Sequence, residues 1–216
     1  MPAVRRPHAA LAALLLVGAV GLSGCDVGSP DDQPSDRSSA APTTPSATPL
    51  SAFDTTGLTV PRADFCEQVA PVDAQRALGG EVARSTSYGN GERAPLSRGV
   101  RDISHEFGCT WTATDDTRAR AWVFTPPVTR ARARRLAAAA AGGSCTPVAG
   151  APSFGTPGAA VRCRDGARVR VVFSGLFGDA WLSCELDVAR GAAGGGLADR
   201  TGQWCVTVAQ AASATS

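Results

Sequence analysis

The sequence predicts an α+β fold: a mainly antiparallel sheet of about six strands, two to three packed helices, and disulfide staples. Three observations predict it. Short runs of alternating apolar and polar residues recur at hairpin spacing, the mark of antiparallel strands. Two helical stretches are punctuated by proline at the start and glycine at the end. Six cysteines, at 66, 109, 145, 163, 184 and 205, make an even set in the part of the chain that can fold.

The elements follow in order. "DFCEQVA", 64–70, reads as a turn or short helix ended by Pro71. "PVDAQRALGG" reads as a helix with Pro71 at its first position and Gly79 past its end. "EVARSTSY", "EFGCTWTA" and "RARAWVFTP" are strands, with Asp115 and Asp116 in the turn before the third. The polar stretch 87–105 between the first two is long enough to read as a disordered or loosely held loop. Thr125-Pro126-Pro127 opens a second helix, "VTRARARRLAAAAA", stopped by Gly142-Gly143. "GAAVRC", "ARVRVVF" and "AWLSCELDV" are strands. In the last element, Leu197, Thr201, Trp204 and Val208 fall at helical spacing while "WCVTV" alternates like a strand; the helix is the reading taken.

In "VRCRDGARVRVVF", alternation favours a three-residue loop, Arg164-Asp165-Gly166, pairing Cys163 with Ala167. Cys163 then shares a face with Val169, Val171 and Phe173, and Arg162, Arg168 and Arg170 share the other. Those three arginines are the candidate anion-binding face, for lipid phosphate or acidic glycan. The competing reading is a solvent face, neutralised by Glu185 and Asp187 from a neighbouring strand, at about 0.2–1 kcal/mol per cross-strand pair. Arg130, Arg132, Arg134 and Arg135 pose the same choice but spread around their helix.

The N-terminal region speaks to location. Arg5 and Arg6 precede an uninterrupted apolar run, 9–20, and small residues lead to Cys25. This is the order of an export signal. As a helix the run spans roughly 18 Å, short of a bilayer core of about 30 Å. Leu22-Ser23-Gly24-Cys25 resembles the lipobox of bacterial lipoproteins, in which the cysteine thiol takes a diacylglyceryl group. The resemblance implies a signal peptide over 1–24, a lipid anchor on Cys25, and a protein of the extracytoplasmic face of the cell membrane. Residues 25–61 are rich in Ser, Thr, Pro and Asp without helical or strand period, and read as a disordered tether. The folded domain is expected over 62–212, with a tail at 213–216.

An even cysteine count in an exported chain reads as a disulfide framework. Local closure and the strand faces favour Cys66–Cys109, Cys145–Cys163 and Cys184–Cys205. A metal site would want close cysteine pairs, and there are none; His105 is the one histidine beyond the signal. No nucleophile elbow, zinc-protease, phosphate-loop or dinucleotide motif occurs, so no cofactor or metal is expected. All 21 basic residues are arginine, and from Arg62 onward 18 arginines face 14 acids. That excess is too small for a nucleic-acid footprint.

"DFCEQV", "PVDAQRALGG", "FGCTWTA", "WLSCELDV" and the late "WC" resemble a family of uncharacterised actinobacterial lipoproteins built on a Cys-containing α+β domain of unknown function. The resemblance covers about 62–212. It implies a surface-anchored envelope protein and no activity. The function expected is a non-catalytic ligand- or protein-binding accessory module, with an envelope protein, lipid or glycan as partner. An envelope hydrolase or other enzyme is the alternative.

Overall fold

The computed structural model describes residues 47–97 and 99–214. Cys25 and the signal-like run therefore lie outside the described residues. Nine strands and three helices form an α+β fold: β1 (Val82–Tyr88), β2 (Arg93–Ser97), β3 (Val100–Ile103), β4 (Glu106–Ala113), β5 (Arg118–Phe124), β6 (Cys145–Pro147), β7 (Gly158–Asp165), β8 (Arg168–Phe177), β9 (Ala180–Ala189), α1 (Pro71–Leu78), α2 (Arg130–Ala140) and α3 (Leu197–Ser213). Seven strands pair antiparallel in the order β1-β4-β5-β9-β8-β7-β6, and β2–β3 is a separate hairpin.

Local chemistry sets the helix ends. Pro71 opens α1, and Gly79 closes it in the left-handed region at φ 74°. The side chain of Thr129 caps α2 by accepting from Arg132 N. The final element is the helix that the spacing of Leu197, Thr201, Trp204 and Val208 predicts.

One face of the sheet is the core. Alternate residues of its central strands, among them Trp111, Val123, Val171, Phe173, Leu182 and Leu186, pack against α1 and α3. Trp204 of α3 meets Trp111 edge-on with centroids 5.2 Å apart, and its Nε1 donates to the Arg120 carbonyl at 3.0 Å. Two disulfides staple this face: Cys66–Cys109 ties the turn before α1 to β4, and Cys184–Cys205 ties β9 to α3. The third, Cys145–Cys163, joins β6 to β7 across a direct pair. All three join the cysteines that the sequence pairs.

Three expectations change. The tether was expected to end at residue 61, yet Leu50 and Val60 are 4% and 2% exposed and belong to the core. Leu50 seats against Gly202 of α3, where a Cβ would stand 3.1 Å away. A Ser/Thr/Pro-rich composition hid these two isolated anchors. The 87–105 stretch, expected to be loose, holds β2–β3. Its base is pinned by Gly91 N and Ser104 N, which donate to Ser104 O and Glu92 O at 2.8 and 2.7 Å.

The third change is the β7–β8 turn. Asp165 pairs with Arg168, so the loop has two residues, Gly166-Ala167, not three. Gly166, at φ 57°, fills the first central position, as a type II′ turn requires. The shift reverses the faces of β7. Cys163 now opposes Arg170, and Arg162 opposes Val171. Arg162 is thus on the core side, away from Arg168 and Arg170. Alternation misled because β7 has apolar residues on both sides: Val161 and Cys163 on one, Ala160 against the core on the other.

Candidate functional site

The second face of the sheet grades from charged to apolar. Cross-strand register places Arg84, Thr112, Arg118, Asp187, Arg170 and Cys163 in one row crossing six strands. The next row reads Thr86, Thr110, Arg120, Glu185, Val172 and Val161. Beyond it, Trp122 and Ser183 are paired, and Ser174 and Ser183 share a hydrogen bond of 2.8 Å. At the far end Leu176 and Trp181 are buried with Val128 and Ala133 under α2. The helix covers the apolar end and leaves the arginine end open.

The open end is a concavity of about 530 Å³. Among the described residues, five arginines (84, 118, 120, 168 and 170) and three acids (Asp165, Glu185 and Asp187) line it. Thr86, Thr110 and Thr112 add hydroxyls on the β1–β4 side, and the β2–β3 hairpin contributes Pro95 and Gly99.

The arginines divide by how firmly they are held. Arg168 Nε donates to Asp187 Oδ1 at 2.8 Å, and its terminal nitrogen donates to the carbonyls of Asp187 and Asp116. Arg120 donates to Glu185 Oε1 at 3.3 Å and stacks its guanidinium 5.2 Å from the centre of the Trp122 ring. Burial works against the Arg120 charge, but Glu185 and Tyr88 outweigh it and hold its pKa above the ordinary value. Glu185 is only 3% exposed and lies between Arg120 and Arg170. The Arg170 contact is loose: Nε is 3.8 Å from Glu185 Oε2 and has no hydrogen-bond partner although the atom is buried. Arg118 reaches Asp116 only at 3.9 Å. Arg84 is exposed, and no ion pair holds it among the described residues.

Behind Arg120, the Tyr88 hydroxyl donates to Glu106 Oε1 at 2.5 Å. The Tyr88 ring lies over Gly108 of the neighbouring strand, where a Cβ would come within 2.3 Å of it. Burial lifts the Glu106 carboxyl above the usual carboxylate range, against the pull of Tyr88 and Arg120. Burial, and then Glu106, push the Tyr88 phenol upward. Neither residue lines the concavity.

Of the candidate face Arg162, Arg168 and Arg170, the structure brings together the last two and not the first. Their expected partners are in place: Asp187 on Arg168, and Glu185 beside Arg170. Arg130, Arg132, Arg134 and Arg135 all point to solvent, and His105 is exposed. Sequence reasoning missed Arg84, Arg118, Arg120 and the three threonines. The alternation of "RARAWVF" was a signal for Arg118 and Arg120. What it lacked was the strand order that seats β5 beside β9.

Among the described residues no cluster of His, Cys, Asp or Glu is arranged to hold a metal. No described helix is long and apolar enough to cross a membrane. The three disulfides point to an oxidising, extracytoplasmic environment. No family model matches the chain, and no curated protein matches it.

Proposed function

We propose that this protein is a lipid-anchored, extracytoplasmic binding module that captures an anionic ligand in the arginine-lined concavity. One observation supports the binding role above the others: five guanidinium groups face three carboxylates in a recess of about 530 Å³, within the size range of small-ligand clefts. Guanidinium groups suit carboxylate and phosphate because their N–H donors form a planar fork. The open end contrasts with the apolar end of the same face, which α2 covers.

The anchor rests on the lipobox-like Leu22-Ser23-Gly24-Cys25 after a signal-like run. Two or more acyl chains give the stable attachment that one chain does not. The resemblance to actinobacterial envelope lipoproteins agrees with it. Binding is favoured over catalysis because the Glu185 and Asp187 carboxylates are engaged by Arg120 and Arg168.

Two measurements test the proposal. Cys25→Ser is expected to move the protein from the membrane pellet to the soluble fraction; a mutant that pellets like the parent overturns the anchor. Galacturonate, inorganic phosphate and oligogalacturonate are titrated against the full-length protein, with neutral dextran as control. Saturable binding to at least one anion and none to dextran is expected. Failure of every anion overturns the binding role.

A further inference from the structure

Resting on that reading, the geometry points to the ligand's class: a linear acidic oligosaccharide laid across the strands, held at successive anionic groups by Arg84, Arg118 and Arg170. The two other arginines of the recess are committed to the fold. Arg120 is 16% exposed and bonded to buried Glu185, and Arg168 is 17% exposed and holds Asp187 and two carbonyls. The remaining three are available. Arg118 and Arg170 are 42% and 38% exposed with contacts of 3.9 and 3.8 Å, beyond hydrogen-bond length. Arg170 keeps a buried Nε–H that no acceptor meets.

These three fall in one row of the sheet, on β1, β5 and β8. Each successive pair is separated by one intervening strand. With strands about 4.8 Å apart, the available cations recur every ~10 Å over about 20 Å. A lone phosphate meets one of them, whereas a chain with repeated carboxylates meets all three.

The other lining groups favour sugar over other polyanions. Thr86, Thr110 and Thr112 supply hydroxyls that both donate and accept, matching a polyhydroxyl ligand. No aromatic ring lines the recess among the described residues, so nucleic-acid bases have nothing to stack on. The recess has the β2–β3 hairpin at its wall, and a flat lipid headgroup surface does not enter a concavity.

The test is a chain-length series on the full-length protein: galacturonate against oligogalacturonate long enough to span the row, by calorimetry at low salt. The oligomer is expected to bind roughly 100-fold or more tighter than the monomer, because the second and third contacts become intramolecular. Arg84→Gln, Arg118→Gln and Arg170→Gln each weaken oligomer binding several-fold and leave monomer binding within about a factor of two, with binding more salt-tolerant as charges are lost. Arg132→Gln on α2 changes nothing. Thermal unfolding of each variant shows that the fold is kept.

Equal affinity for monomer and oligomer overturns the row and leaves a single-anion site, with the anion-binding role intact. Tighter binding of poly-glutamate or of phosphatidylglycerol vesicles overturns the glycan class. Silence toward every anion overturns both this inference and the binding role.

Discussion

The two faces of the seven-stranded sheet come from the same alternating strands, yet they spend their residues differently. The core face is continuous: α1 and α3 cover it, two disulfides cross it, and Trp111 and Trp204 meet in its middle. The second face is divided, with an apolar end under α2 and a cationic end left open. Stability is concentrated where every side chain has apolar neighbours. The face relieved of that duty can hold charges whose partners are incomplete, such as Arg170.

The largest expected effect lies on the core face. Trp204→Ala removes a side chain 2% exposed, its edge contact with Trp111 and its bond to the Arg120 carbonyl. A loss of about 3–5 kcal/mol is expected in urea unfolding. A loss under 1 kcal/mol would break the contrast at its strong side.

A smaller effect, of mixed sign, is expected from Glu185→Gln. It unbalances Arg120 in a partly dry setting and lowers stability by about 1–3 kcal/mol. It also frees two guanidinium groups toward the recess, so anion affinity should rise. Stability and affinity falling together would show that Glu185 orders the site instead of competing for its cations.

These effects bear on how much was legible in the residues. The core face was: the proline and glycine limits of α1, the helical spacing of α3 and the cysteine pairs follow from local chemistry. The second face was legible in part: alternation placed Arg168 and Arg170 together with their acid partners Asp187 and Glu185, and failed elsewhere. Arg162 was placed on it by an alternation that β7 does not obey. Arg84 and Arg118 lie 34 positions apart in the chain, and only the strand order β1-β4-β5 brings them into one row. Leu50 and Val60 were lost for another reason: single apolar residues in a proline-rich run make no period, though each finds a socket in the core.

The smallest expected effect is a change of slope. Burial raises the Glu106 pKa, so the folded state holds the proton more tightly than the unfolded chain. The stability this gives is present at pH below the ordinary carboxylate range and is lost as pH rises through the raised value. Glu106→Gln keeps an acceptor for the Tyr88 hydroxyl without a titrating group. Stability of the parent relative to Glu106→Gln should therefore fall as pH rises from acid toward neutral. A difference constant with pH in urea titrations would place Glu106 in water.

The two margins of the sheet have a consequence for life at a surface. β1 is exposed through its middle, polar, and breaks register between Val82 and Arg84; β6 is three residues long and ends in Pro147. Charge, bulges, brevity and proline are what keep strand margins from pairing with other chains. With the lipid anchor proposed for Cys25, the protein would meet its own copies at high local density in two dimensions. Margins shaped this way let many copies crowd together without zipping into a common sheet, so each recess stays separately open to what passes above it.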